Sequence, residues 1–162
     1  MKSYDLSALN ILVLEKHLLV RKLLTDVFSE FGVATVFSTP STVEAFDYFN
    51  DRSPDIVLCY WTPDLDGMAF IRQIRWSDDS ANPYVPVVVV TANTELRHVC
   101  HARDNGMTEF LAKPVSAKTI YSRLCTVIEK PRPFIRVGNF FGPDRRRRQS
   151  EHLGPMERRR AG

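Results

Sequence analysis

Val85-Pro86-Val87-Val88-Val89-Val90-Thr91-Ala92 is the stretch whose reading decides the fold. Apart from Pro86, every residue from Val85 to Val90 is β-branched. Such side chains are stiff at χ1 and fit a pleated strand better than a helix. No polar residue alternates with the valines, so both faces of this strand are expected to be buried. That is the pattern of a parallel sheet covered by helices on both sides.

Working outward, four more short runs read as strands. They are Ile11-Leu12-Val13-Leu14, Val33–Phe37, Ile56-Val57-Leu58-Cys59-Tyr60 after Pro54-Asp55, and Thr108–Leu111. Helical patterns separate them. Val20, Leu23, Leu24, Val27, Phe28 and Phe31 recur at the spacing of one helix face, closed by Gly32. Ser41 with Glu44 forms a capping box before Ala45, Phe46 and Phe49. Asp66-Gly67 opens a helix with Phe70, Ile71 and Ile74 inward. Another helix runs from about Thr94 to Arg103 and ends at Gly106, and Ser116 caps a last one with Ile120, Leu124, Val127 and Ile128 inward. Strands alternating with helices predict an α/β domain with a doubly wound five-stranded parallel sheet in the order 2-1-3-4-5. Sites on such a sheet gather at the carboxyl ends of its strands. The residues there are Glu15-Lys16, Cys59-Tyr60-Trp61-Thr62, Thr91-Ala92 and Lys113-Pro114.

At 162 residues, 44% of them hydrophobic, the chain is long enough for one well-buried core. No apolar run approaches the ~20 residues that cross a bilayer, and the first residues lack a signal-peptide layout. Cys59, Cys100 and Cys125 are odd in number and widely spaced, which excludes a disulfide framework and fits a reducing, cytoplasmic setting. The net charge of +3 is unevenly spread. Residues 1–130 hold 13 Lys and Arg against 16 Asp and Glu, a net of −3, whereas residues 131–162 hold 9 Arg against 3 acids, a net of +6. The change falls at Lys130-Pro131-Arg132-Pro133, where two prolines stop a helix. The expectation is a domain over 1–130 and an irregular, partly disordered basic tail over 131–162.

Four motifs in the first part resemble the CheY-like receiver domain of bacterial response regulators. They are Pro63-Asp64-Leu65-Asp66-Gly67, Val88-Val89-Val90-Thr91-Ala92, Ala102-Arg103-Asp104-Asn105-Gly106 and Phe110-Leu111-Ala112-Lys113-Pro114. The resemblance covers about residues 9–130. It implies the flavodoxin-like fold already read from the pattern. It also implies a pocket in which an aspartate at the end of the third strand takes a phosphoryl group. Two acids after the first strand help bind Mg²⁺, and a Thr or Ser and a Lys contact the phosphate. Thr91 and Lys113 match, and Phe110 stands at the family's aromatic switch position.

The other positions depart from that pattern. The acidic pair reads Glu15-Lys16. Counting back from Asp66-Gly67, the acceptor position is Cys59; counting forward from Pro54-Asp55, it is Tyr60. Neither is a carboxylate. One carboxylate, Glu15, stands with two lysines, Lys16 and Lys113, a formal charge of +1. Mg²⁺ prefers several oxygen ligands, so the expectation is a pocket without the metal. It also lacks an aspartyl nucleophile, and Lys16 or Lys113 is expected to neutralise Glu15. The bland readings are a buried, inert Cys59 thiol, a Thr91 that bonds locally, and a Phe110 that is packed core. His17, His98, His101 and His152 form no metal-ligand cluster, and no hydrolase-like arrangement stands out, so no enzymatic activity is expected.

The tail repeats a pattern. Gly142-Pro143-Asp144-Arg145-Arg146-Arg147-Arg148 is followed by Gly154-Pro155-Met156-Glu157-Arg158-Arg159-Arg160, and every basic residue after Lys130 is Arg. Arginine offers a planar fork that bonds O6 and N7 of guanine, stacks on a base and pairs with phosphate. Phe140 and Phe141 supply stacking or anchor the tail. The pattern resembles the arginine-rich tail of CheY-like proteins that bind cyclic di-GMP and act on the flagellar motor. That resemblance implies ligand contacts at Asp144, Arg145, Arg146, Glu157, Arg158 and Arg159.

The resulting expectation is a non-catalytic signalling module that docks a protein through its fourth helix, fifth strand and fifth helix. The partner would be a histidine kinase, a flagellar motor component or another signalling protein, with cyclic di-GMP as the tail's ligand. Two rivals use the same residues: a phosphorelay protein phosphorylated at a non-standard site, and, less favoured, a basic-tail nucleic-acid binder whose affinity collapses with salt.

Overall fold

The computed structural model describes residues 4–62 and 65–144. In chain order the elements are β1 (Asn10–Leu14), α1 (Leu18–Glu30), β2 (Thr35–Thr39), α2 (Thr42–Arg52), β3 (Ile56–Tyr60) and α3 (Gly67–Trp76). They continue with β4 (Val87–Thr91), α4 (Leu96–Asp104), β5 (Glu109–Ala112), α5 (Ala117–Glu129), β6 (Phe134–Val137) and β7 (Phe140–Pro143). β1 to β5 form one parallel sheet in the order β2-β1-β3-β4-β5, as the pattern predicts. None of the described helices is long and apolar enough to cross a membrane.

The period-2 geometry of the strands divides their apolar residues between two layers. Leu12, Leu14, Val57, Cys59, Val87 and Val89 pack with Phe46 and Phe49 of α2, Phe70, Ile71 and Ile74 of α3, and Ala102 of α4. Ile11, Val13, Leu58, Tyr60, Val88 and Val90 pack with Leu24 and Phe28 of α1 and with Ile120, Leu124 and Val127 of α5. The strands β3 and β4 are buried at every position, which explains their lack of alternation.

Several local readings need correction. β2 starts at Thr35, two residues later than expected, because Val33 belongs to the closure of α1. Its N–H donates to the Phe28 carbonyl (3.0 Å) across Gly32, which takes φ +84°, the left-handed turn that ends many helices. Of the six residues expected on the buried face of α1, Leu23 is 63% exposed, while Leu24 and Phe28 are buried. Ile128 of α5 is likewise exposed. Ser41 caps α2 by accepting from the Glu44 N–H (3.2 Å), but the Glu44 carboxylate turns to the Thr39 hydroxyl (2.6 Å) instead of completing the box. The full box occurs at α5, between Ser116 and Thr119.

The tail is not irregular throughout. Residues 134–143 form an antiparallel hairpin with Phe134 opposite Pro143 and Val137 opposite Phe140. Phe140 and Phe141 are buried, so they anchor the segment. The hairpin lies against α3 and the turn before β5. A Cβ on Gly142 would lie 2.8 Å from the Gly106 Cα, so the two backbones touch. Arg75 of α3 is 2% exposed and ties this corner together. Its guanidinium donates to the carbonyls of Gly106 (3.0 and 2.8 Å), Pro83 (2.8 Å) and Val85 (2.7 Å), and lies 4.9 Å from the centroid of the Phe134 ring. Arg132 donates to the Thr108 carbonyl (2.9 Å) and to the Asp144 carbonyl. Composition averaged over 32 tail residues concealed a hairpin that is stable because it completes the core of its neighbour.

Candidate functional site

Four strands end at one edge of the sheet, on Leu14, Tyr60, Thr91 and Ala112. Glu15 follows β1 and is fully buried. Its Oε1 accepts from the His17 N–H (2.9 Å), and its Oε2 has no hydrogen-bond partner among the described residues. Arg21, one turn into α1, donates to the carbonyls of Glu15 and Lys16 (both 2.8 Å) and fixes the loop that carries them. Nothing in the sequence marks that role, because Arg21 stands next to Lys22 and the spacing does not choose between them.

Cys59 and Tyr60 are consecutive on β3, so their side chains point to opposite faces. Cys59 faces α3. Its Sγ lies 3.7 Å from the Gly67 carbonyl oxygen, and a Cβ on Gly67 would approach it to 2.8 Å. Burial, and then the charges of Asp66 and Glu15, push the Cys59 thiol up to about 12. Tyr60 is in the other layer, 1% exposed. Burial first, then the Glu15 carboxylate, raises its phenol above the ordinary value of 10.0, and the hydroxyl has no hydrogen-bond partner among the described residues.

Lys113 follows β5. Its N–H donates to the Thr91 carbonyl (3.0 Å), and its ammonium lies 4.9 Å from the centroid of the Tyr60 ring. Among the described residues the expected ion pair between a lysine and Glu15 is not formed. The Lys113 Nζ sits on the Tyr60 ring, and the one hydrogen bond that Glu15 accepts on its carboxylate comes from a backbone N–H. Thr91 is fully buried, and its hydroxyl accepts locally from the Asn93 N–H (3.1 Å). Phe110 is partly buried against the α2–α3–α4 layer.

The rim of this edge holds further residues that the sequence pattern placed near it, and the structure gives their partners. The Thr62 hydroxyl is buried with no partner among the described residues. Asp66 accepts from the Ala69 N–H (2.9 Å), so that carboxylate serves as the cap of α3. Trp61 packs against His98 and His101 of α4, with ring centroids 5.5 and 5.8 Å apart.

Of the six tail residues expected to contact a ligand, Asp144 is described. It closes the hairpin, donating its N–H to the Pro133 carbonyl (2.7 Å). Arg145, Arg146, Glu157, Arg158 and Arg159 lie outside the described residues, as do Pro63 and Asp64. The hairpin touches Tyr84 and Gly106, just before the amino ends of β4 and β5. Asp144, at the end of the hairpin, therefore lies at the end of the sheet opposite Tyr60 and Lys113.

Comparison with known proteins agrees with the fold. The family model of the response regulator receiver domain matches residues 11–125. The chain is 30% identical over 123 residues to the KDP operon transcriptional regulatory protein KdpE of Escherichia coli, covering 75% of this chain and 52% of that protein. It is 28% identical over 133 residues to the phosphate regulon transcriptional regulatory protein PhoB of the same organism, covering 78% and 54%. The chain thus spans about half the length of the curated relatives it matches. Among solved structures, the chemotaxis protein CheY4 of Vibrio cholerae is similar in fold, with a TM-score of 0.66 at 18% identity over 74% of this chain and 98% of that one. A putative response regulator from Chloroflexus aurantiacus gives 0.67 at 20% identity over 75% and 98%.

Proposed function

Because this chain belongs to the response regulator receiver domain family of two-component signalling, we propose that it is a receiver that acts without phosphorylation of its third strand. The observation that carries this reading is the pair Tyr60 and Lys113. The last side chain of β3 on the pocket side is a buried phenol beneath the lysine. A carboxylate there would attack a phosphodonor and carry the phosphoryl group as an acyl phosphate. A phenol held in its neutral form is a poor substitute, and Cys59 is directed into α3.

Mg²⁺, which the family implies, does not suit these residues. The ion requires near-octahedral oxygen coordination. Glu15 offers one free carboxylate oxygen, Asp66 is engaged as a helix cap, and Lys113 brings a positive charge to the Tyr60 ring. The pocket acts as a fixed structural element. Its output would be docking of a signalling protein through α4, β5 and α5, where Leu96 is 78% exposed.

The duplicated Gly-Pro, acid and arginine pattern favours a second activity, binding of cyclic di-GMP by Arg145, Arg146, Arg158 and Arg159. Two experiments test these readings. Incubation with a small phosphodonor and Mg²⁺, followed by intact mass, is expected to show no phosphoryl adduct. An adduct would establish a phosphorelay protein with a non-standard acceptor. Calorimetric titration of cyclic di-GMP into the full chain is expected to show binding that vanishes when those four arginines become serine. Comparable, salt-sensitive binding of random DNA would make the tail a nucleic-acid binder.

A further inference from the structure

The fold leaves one face of α1 uncovered. Leu24 and Phe28 bury the inner side of the helix, while Leu19 is 79% exposed on the outer side and Leu23 is exposed beside it. At ~100° per residue, Leu19, Leu23, Asp26 and Glu30 fall within ~60° of one another, a single stripe along the helix. Lys22 borders that stripe, and all five residues are exposed. The stripe is apolar in its first half and acidic in its second.

The charges of α1 do not serve the helix itself. A helix favours acids near its N-terminus and bases near its C-terminus. Here Arg21 and Lys22 stand in the first half and Asp26 and Glu30 in the second, with no acid in the first turn and no base in the last. Lys22 and Asp26 are four apart in the less favourable order, base before acid. Arg21 is occupied by the carbonyls of Glu15 and Lys16. Lys22, Asp26 and Glu30 form no ion pair among the described residues. The pattern is nevertheless self-complementary. Turned end for end, the basic half of one α1 faces the acidic half of another.

We infer that this chain self-associates through α1, with a second copy packed antiparallel about a two-fold axis at Leu23. A two-fold interface uses the same patch on both molecules. With Leu23 against Leu23 of the second copy, residues equally distant from it on either side come together. Leu19 then packs over the turn that carries Val27 of the second copy. Lys22 comes within ~3 Å, along the axis, of the level of Asp26 of the second copy, inside the reach of its side chain. A helix of 13 residues is ~20 Å long and ~10 Å wide. One such pair buries less than the ~1,200 Å² of a standard complex, so the dimer is weak and depends on concentration.

Sedimentation of the full chain from micromolar to millimolar concentration reads the association. The parent is expected to pass from monomer to dimer over that range. Leu23→Ser is expected to stay monomeric, with the parent's thermal midpoint at micromolar concentration, since the side chain is exposed. Lys22→Glu and Asp26→Lys are each expected to weaken association ~10-fold, because each makes two attractive contacts across the axis repulsive. Mixing these two variants in equal amounts is expected to restore dimers as strong as the parent's, since each then meets the opposite charge at both contacts. No change confined to one helix gives that rescue. A parent that remains monomeric at millimolar concentration would overturn the proposal and leave the face to a protein of another sequence. Dimers that survive Leu23→Ser, or a mixture no stronger than its components, would place self-association elsewhere on the chain and overturn it as well.

Discussion

The ammonium of Lys113 rests 4.9 Å from the centre of the Tyr60 ring, while the Tyr60 hydroxyl, buried in the same pocket, has no hydrogen-bond partner among the described residues. The ring contributes through packing and through attraction for the lysine, an effect of ~0.5–2 kcal/mol depending on desolvation. The hydroxyl contributes nothing comparable, since a buried donor without a partner has lost its water bonds. Tyr60→Phe keeps the ring and removes that donor. Its urea midpoint is expected to equal or exceed that of the parent, by up to ~1 kcal/mol. A loss larger than that would mean the hydroxyl is bonded in solution.

The Cys59 thiol is neutral in the folded chain well above the pH at which it ionises when unfolded. Its folded value is about 12, against an ordinary 9.0. Between those values the folded state holds the proton and the unfolded state releases it, so stability present below pH 9 is lost as pH rises toward about 12. Cys59→Ala is expected to flatten the pH dependence of the unfolding midpoint over that window relative to the parent. At neutral pH a thiol reagent is expected to react with half-exposed Cys100 and to reach Cys59 and Cys125 only after denaturation.

Gly67 and Cys59 are coupled by space. A Cβ at residue 67 would meet the Cys59 Sγ at 2.8 Å and the Tyr60 carbonyl at 3.4 Å. Gly67→Ala is therefore expected to destabilise by ~1–3 kcal/mol, the usual cost of overpacking. Adding Cys59→Ala opens the space, so the double variant is expected to recover part of that loss. A double-mutant cycle measures the recovery. Simple additivity would show that α3 shifts to accommodate the methyl group.

The sheet order was legible because β3 and β4 lack any polar alternation, and because each helix carries its own start or stop at Gly32, Ser41, Asp66, Gly106 and Ser116. The fine placement was not. Leu23 fits the helical period of α1, yet the buried stripe centres on Leu24 and Phe28 and leaves it exposed. Val33 fits a strand, yet the closing turn of α1 claims its N–H. In the site, residue types were readable and partners were not. Two counts along the chain left Cys59 and Tyr60 as alternatives for the acceptor position. Their opposite orientations depend on where β3 begins, which neither count contains. Arg75 reads as a surface charge within α3, and only the folded chain brings three carbonyls and Phe134 around it. The hairpin was concealed because its alternation is four residues long and its support comes from α3 and Gly106.

That hairpin should behave as part of the domain. Phe141 is buried among Trp76, Tyr84 and Phe134, and Arg136 lies on its ring. Phe141→Ala is expected to cost ~3–5 kcal/mol, as for other large core rings. At ~2–4 °C per kcal/mol for a chain of this size, the midpoint of thermal unfolding should fall by ~6–20 °C. Arg75→Met should be comparably harmful, because it leaves the buried carbonyls of Gly106, Pro83 and Val85 without their donor. Midpoints within experimental error of the parent would show that the hairpin is only loosely attached.

The orientation of Tyr60 makes a gain of function possible to design. If the pocket lacks phosphorylation only because its carboxylates are missing, returning them at the right positions should restore it. Lys16→Asp with Tyr60→Asp adds an acid beside Glu15 and places a carboxylate where the Tyr60 ring now meets Lys113. Thr91 and Lys113 are unchanged. With a small phosphodonor and Mg²⁺, this variant is expected to gain the mass of one phosphoryl group, and the adduct should be lost in alkali or hydroxylamine as an acyl phosphate is. Lys16→Asp with Cys59→Asp is the matched control. Its new carboxylate would face Gly67 in the fully buried α3 layer, away from Lys113, and no adduct is expected. The reverse outcome, an adduct on the Cys59 variant alone, would show that Cys59 is the acceptor position and that β3 shifts register when a carboxylate is supplied.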